Sequence, residues 1–454
     1  MLVTIIENTP KIQEKVVAEP TTTVPTLGDV TSTFWGYIAE VWWLLLPLFL
    51  FSILWKIWIE YKKDAYEQSM EYINLAIDVP DVLDIGPEAI EQIFAGIHGG
   101  IETNPNIIEK YWEGKRAERI SFEITGIDGF IRFVVRLPEY YRDLVEAQIY
   151  AQYPDAQISE TPDYTENMPT KFPDDNYDMF ACDFQLTKED AYPIKTYKDF
   201  MSQDAEIPFN DPLNSLTEGL SKLSQGEQVW LQIVARPKSD DWHDDGVKLA
   251  KKLIGAKVEV KQTGFDKAAE AVLIKPLHAA QKGLEGAVMG SEAEESSNSK
   301  DDPVSLMQFL SPGERNVVEA LERNIAKPGF EIGFRFIYIA KKEVFKKPKG
   351  VKIVVGALKQ FSSLDLNSFK MNKKTRTKLD YLFVEPRLNR RKRKMMRNFK
   401  AREMDKRPKP FILSTEELAT LYHFPFSSVK APMVPRTESR KSQPPIELPL
   451  EDIS

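Results

Sequence analysis

This sequence predicts an α+β protein in which one N-terminal transmembrane helix is followed by two ferredoxin-like (split βαβ) units, the second with a helical and disordered insertion. Three observations predict it. Residues 34–59 form the most apolar run in the chain. Residues 72–160 carry strand and helix patterns in the order β-α-β-β-α-β. A second, interrupted set of similar signals begins at Met179. With 454 residues the chain has room for roughly two or three domains.

Residues 1–33 are rich in Thr, Pro, Val and Glu, lack a period, and read as an extracytoplasmic tail. Residues 34–59 read as the transmembrane helix. From Val41 to Trp55 there is no charge, a span of roughly 22 Å as helix. Counting on to Ile59, with the Lys56 ammonium drawn to the headgroups, gives about 28 Å against a hydrocarbon core of ~30 Å. Trp35, Trp42, Trp43, Trp55 and Trp58 would be its interfacial anchors. Pro47 is tolerated in such a helix. A cleaved signal peptide fits less well, because the run begins late and no small-residue cleavage site follows it. A buried core helix would need a partner for each indole N–H. Lys56, Lys62 and Lys63 follow the run while Lys11 and Lys15 precede it, which places the bulk of the chain in the cytoplasm. The lone Cys182 agrees with a reducing compartment and reads as a small buried hydrophobe. Residues 60–71 continue as a polar stalk.

The first unit covers 72–165. Tyr72–Val79 alternates and stops at Pro80, as a strand does. Pro87 opens a helix over Glu88–His98, with Ile90, Ile93, Phe94 and Ile97 on one face. Arg119–Thr125 and Phe130–Leu137 are strands joined by the hairpin loop Gly126-Ile127-Asp128-Gly129. Pro138 opens a helix over Glu139–Tyr153, and Ala156–Glu160 is a short strand. The second unit covers 176–385. Met179–Leu186 is a strand, Asp211-Pro212 caps a helix to Leu223, Gln228–Ala235 is a strand, and 242–254 is helical. Residues 255–302 are Ala, Glu, Lys, Gly and Ser rich and read as the insertion. Ser311-Pro312-Gly313-Glu314 is a capping box into Arg315–Ala326. Phe330–Ala340 is a strand, Gly350–Phe361 a helix, and a final strand is expected near Leu379–Val384. Residues 386–410 form a basic helix. In 411–454, Ser414-Thr415-Glu416-Glu417 caps a short helix that precedes a Pro-rich tail.

The search for catalytic patterns is negative. The chain has no P-loop, H-E-x-x-H or G-x-S-x-G pattern. His98, His243, His278 and His423 fall in different elements. In Trp242-His243-Asp244-Asp245 the two acids suit a helix start, where the macrodipole favours them. No enzyme activity, metal or cofactor is expected. The net charge is −8, but twelve Lys or Arg between Arg387 and Lys409 face only Glu403 and Asp405. That stretch is +10 and the rest of the chain near −18. Candidate phosphate contacts are Arg387, Arg390, Arg391, Lys392, Arg393, Lys394, Arg397, Lys400 and Arg402. Three readings compete for them: a solvated helix or a face for an acidic protein, anionic lipid headgroups, and nucleic-acid phosphates. Only Phe399 interleaves, so base stacking is not indicated.

Gln228-Val-Trp-Leu-Gln-Ile-Val-Ala-Arg-Pro237 with Trp242 resembles a motif of the membrane-anchored N-terminal regions of HerA/FtsK-like type IV secretion (conjugative) coupling-protein relatives. Ala147–Asp155 with Asp163-Tyr164, Phe361–Phe369 and Ile412–Pro425 look like others, and Gln443–Pro449 resembles the Pro-rich stretch that leads into the ATPase. In that family the ATPase follows the last motif, whereas this sequence stops at Ser454. The resemblance implies a bacterial adaptor, single-pass in the cytoplasmic membrane, serving a separate HerA/FtsK-like ATPase in a type IV secretion-like or DNA-translocation system. Phe411, Ile412, Leu413, Leu418, Leu421, His423 and Pro425 would dock that partner, and DNA or further copies of the chain would be additional partners. The alternative is a membrane scaffold or signalling protein whose basic helix binds anionic lipid.

Overall fold

The computed structural model describes residues 27–79, 85–103, 105–201, 211–254, 310–379, 381, 383–404 and 408–425, with side chains from Leu46 onward. The expected insertion at 255–302 and the Pro-rich tail lie outside the described residues, as do residues 1–26. The chain divides into two units, 1–65 and 66–454.

The first unit holds most of helix α1 (Leu27–Gln68), which runs unbroken through Pro47. Among the described residues no helix is long and apolar enough to cross a membrane. The transmembrane reading is therefore corrected. The uncharged run within α1 is Val41–Trp55, bounded by Glu40 and Lys56. That is about 22 Å of helix against the ~30 Å it would have to cover. Lys56, Glu60, Lys62, Lys63 and Asp64 follow within ten residues. Of the expected anchors, Trp55 and Trp58 are partly exposed; the side chains of Trp35, Trp42 and Trp43 lie outside the described residues. The single-pass localisation, and the cytoplasmic side assigned from the flanking lysines, fall with the spanning helix.

The second unit is built on one antiparallel sheet. Its first half runs β1 (Tyr72–Asp78), α2 (Pro87–Gly100), β2 (Ile120–Ile127), β3 (Phe130–Pro138), α3 (Arg142–Gln152) and β4 (Gln157–Glu160). Its second half runs β5 (Tyr177–Leu186), α4 (Asn214–Ser221), β6 (Glu227–Pro237), α5 (Asp241–Leu253), α6 (Pro312–Ile325), β7 (Gly329–Lys341), α7 (Lys347–Leu358) and β8 (Phe369–Met371). Helix α8 (Val384–Lys400), strand β9 (Phe411–Ser414) and helix α9 (Thr415–Leu421) complete it. The strands lie in the order β4-β1-β3-β2-β6-β7-β5-β8, with β9 added to β7. The second half thus repeats the order of the first in reverse, about the β2–β6 seam.

That seam corrects the expectation of two separate ferredoxin-like units. β2 and β6 pair along eight positions, from Ile120↔Ala235 to Ile127↔Gln228. Each strand alone would leave a row of backbone donors and acceptors open, and pairing the two rows satisfies both. Burial follows: every residue of β6 is buried, and all of β2 but its last. The last expected strand is also displaced. β8 is Phe369–Met371, paired with Phe184–Leu186 of β5, and Val384 begins a helix instead.

Alternation sends Phe122, Ile124, Phe133, Val135, Leu231, Ile233, Phe334 and Phe336 to one face of the sheet, where they form the main core. Residues of α2, α3, α4, α7 and α9 join that core. The other face carries Trp230, Ile337, Ile339, Met179 and Ala181, under α8. Helix α7 comes close to the sheet at Gly350, where a Cβ would lie 2.3 Å from Cγ of Tyr338. Gly350→Ala is expected to destabilise the protein by about 1–3 kcal/mol through overpacking, read from urea denaturation. An unchanged midpoint would show that α7 can shift away freely.

Candidate functional site

Helix α8 has two opposed rows. Lys392, Met395, Met396 and Phe399 recur at helical spacing and are buried. Met395, Met396 and Phe399 pack on Trp230, Ile337 and Ile339, with the Phe399 and Trp230 ring centroids 5.4 Å apart. Tyr164 closes the other edge of Trp230 at 5.2 Å. Arg390, Arg393, Lys394 and Arg397 repeat the same spacing two residues earlier, which turns them to the opposite side, and all four are exposed. Among the described residues none of these four forms an ion pair. Arg390, Arg393, Lys394 and Arg397, with Thr170, Lys400 and Ala401, line an open cleft of about 850 Å³.

The nine basic candidates therefore separate. Arg387 is exposed and donates to the Tyr381 carbonyl at 3.1 Å. Arg391 is half-buried and donates to the carbonyls of Arg376 (3.0 Å) and Lys378 (3.2 Å). Lys400 donates to the Met168 carbonyl at 2.8 Å. Two candidates are corrected. Lys392 is buried and pairs with Asp178. Arg402 is 4% exposed and turns inward to pair with Glu123 and Asp163. It is also the left-handed residue that ends α8, with φ 50°. Its N–H donates to Phe399 O (3.0 Å) and the Glu403 N–H to Asn398 O (2.9 Å), the paired closure of a Schellman motif.

Arg402 sits in a buried polar network. Its guanidinium donates to both carboxylate oxygens of Glu123, at 3.0 and 3.2 Å, and pairs with Asp163. Glu123 also accepts from Ser121 Oγ (2.6 Å), Tyr164 Oη (2.6 Å) and Gln232 Nε2 (2.9 Å). Burial pushes the Asp163 carboxyl up, but the hydrogen bonds and charge of Arg402, helped by Thr165, outweigh it and hold it down at about 2. Next to it, Arg335 pairs with Asp183 at 3.1 Å. These groups fix the end of α8 on the sheet.

The structure adds cations that the sequence reading passed over. Lys373, Lys374 and Lys378 are exposed on the segment between β8 and α8. Thr377 ties that segment to β5, its N–H donating to Ala181 O and its Oγ1 accepting from Ala181 N, both at 2.9 Å. Arg391 ties it to α8. The run of Lys and Arg from Lys370 to Lys378 was the available signal, masked by its place beside an expected strand. Crowding is visible at Arg391, which burial, then the charges of Arg387 and Arg376, hold below the usual guanidinium range. Guanidinium groups offer a planar fork suited to phosphate, and no carboxylate occupies the outward row.

The expected docking segment is corrected. Phe411, Leu413, Leu418, Leu421 and His423 are buried, and Ile412 and Pro425 partly so. β9 pairs with Gly329–Ile332 of β7, and every residue of α9 is buried. The segment is an internal part of the unit rather than a free face. The four histidines stay apart. His98 Nε2 meets Lys238 O at 3.0 Å; His423 lies between Ala419 O and Asp211; His243 is exposed; His278 lies outside the described residues. Among the described residues no group of three or more His, Cys, Asp or Glu is placed to hold a metal ion.

A family model described as a domain of unknown function (DUF8128) matches residues 84–437. No curated protein matches the chain.

Proposed function

The chain belongs to the DUF8128 family, and from that premise we propose that it is a non-catalytic adaptor that holds the phosphate backbone of nucleic acid along α8. One observation carries the reading: Arg390, Arg393, Lys394 and Arg397 form an exposed row with no ionic partner among the described residues. The inward cations on the same side of the sheet, Arg335, Arg402 and Lys392, are instead paired with carboxylates. A chain of net charge −8 that gathers unpaired cations in one row has a polyanion-shaped surface rather than a generally basic one. The resemblance to regions that precede HerA/FtsK-like ATPases supports a DNA-translocation or type IV secretion-like setting in which such an ATPase is the partner. That partner would dock away from Phe411–Pro425, which the fold occupies.

The test is fluorescence anisotropy of labelled oligonucleotides over a salt series, with Arg390, Arg393, Lys394 and Arg397 all replaced by Gln. Affinity for duplex should fall, and the slope of log affinity against log salt should become shallower by roughly 3 to 4. The residues face outward, so the melting temperature should be unmoved. Affinity and slope equal to those of the parent chain would overturn the proposal. So would retention on anionic vesicles without any oligonucleotide binding, which would give the row to lipid.

A further inference from the structure

We infer that the nucleic acid on this surface is single-stranded, with bases stacking on Tyr381 and Phe383. This rests on the nucleic-acid reading of the α8 row and specifies its ligand. Tyr381 is 81% exposed and Phe383 79% exposed, two rings at the head of a helix whose outward row is cationic. Large aromatic side chains standing that far into solvent contribute nothing to the core, and they are where a π-face partner would bind. Arg387 Nη1 donates to the Tyr381 carbonyl at 3.1 Å, which ties the Tyr381 backbone to the first residue of the cationic series. Phe383 is the residue before α8 and has φ 47° and ψ 50°. A bulky L residue rarely takes that left-handed conformation, and glycine would take it without strain. A strained, exposed ring is therefore kept where the backbone would prefer none.

The arrangement matches what a single strand requires. Unpaired bases offer flat faces, which a duplex keeps stacked inside, while their phosphates can follow a row of guanidinium and ammonium groups. From Arg387 to Arg397 the row extends about 15 Å along the helix axis. Stacking is tolerant of base identity, so no sequence preference is needed.

The experiment compares a labelled oligothymidine with a duplex of the same length, using the full chain and its Tyr381→Ala and Phe383→Gly variants. Each variant should lose about tenfold in affinity for the single strand and leave duplex affinity unmoved. Phe383→Gly should keep or raise the melting temperature, since it removes strain, so a lost affinity there cannot be lost folding. Single-strand affinity unmoved by both substitutions, with the four-Gln variant still defective, would overturn this inference and leave the parent reading standing. An equal loss on both ligands would also overturn it, because the rings would then not be reading unstacked bases. If the four-Gln variant binds as the parent chain does, both readings fail together.

Discussion

A chain ending at Pro410 is expected to be unfolded, not merely unable to hold a partner. The residues it would lose from the described structure include Leu413, Leu418, Leu421, Tyr422 and Phe424, each at most 4% exposed. At about 1.5–3 kcal/mol per buried side chain of this size, their removal takes away on the order of 10 kcal/mol. That equals the whole stability of a typical domain, about 5–15 kcal/mol. Polar losses add to it. The Glu417 carboxylate accepts from the N–H groups of Ile194 and Ser414, both at 2.9 Å, and Thr420 Oγ1 accepts from Tyr197 N–H at 2.9 Å. Lys327 pairs with both Glu416 and Glu91, linking α9 to α2. Without β9, Gly329–Ile332 of β7 would present an open edge. Circular dichroism and urea denaturation of the truncated chain check this. A cooperative transition near that of the full chain would mean that β9 and α9 are dispensable, and the docking role would have to be reconsidered.

Arg402→Ala is the single substitution expected to cost most, about 3–5 kcal/mol. The loss of the guanidinium leaves Glu123, 0% exposed, as a buried carboxylate with neutral donors only. The end of α8 would loosen with it, because the same residue closes the Schellman turn. Arg402→Lys should recover only part of the loss, since an ammonium cannot span two carboxylates with a planar fork. Arg402→Gly separates the contributions: it suits φ 50° but removes every ion pair. If Arg402→Gly were more stable than the parent chain, backbone strain would outweigh the network and the argument would fail. The network also predicts acid sensitivity. Asp163 is held at about 2 against an ordinary value of 3.8, a depressed carboxylate. Its contribution is fully present above the ordinary value and is lost as pH falls through the folded value. The drop should be about 2 kcal/mol between roughly pH 4 and pH 2, and smaller in Arg402→Ala. Denaturation midpoints of both proteins across that range measure it.

Some of this was legible because it is local. Ser311 with Glu314 and Ser414 with Glu417 announce helix starts by composition alone, and both capping boxes form. The alternation of Tyr72–Asp78 and the 3.6-residue period of Ile90, Ile93, Phe94 and Ile97 are properties of neighbouring residues. The charge of residues 387–402 could likewise be counted. Other features depended on residues far apart in the chain. The β2–β6 seam joins strands more than a hundred residues apart, and no local pattern states which edges will meet. The apolar character of Leu413, Leu418 and Leu421 is the same whether a partner or the chain's own α2 covers them. Helix α8 shows the division most plainly. Its sequence by itself determined a cationic helix, since side-chain charge and helical spacing are set residue by residue. Only the tertiary structure decided that Lys392 and Arg402 turn inward, Lys392 to Asp178 and Arg402 to the buried Glu123, while Arg390, Arg393, Lys394 and Arg397 remain facing water. Seating Met395, Met396 and Phe399 on Trp230 fixes the rotation of the helix, and with it the face every charge must occupy.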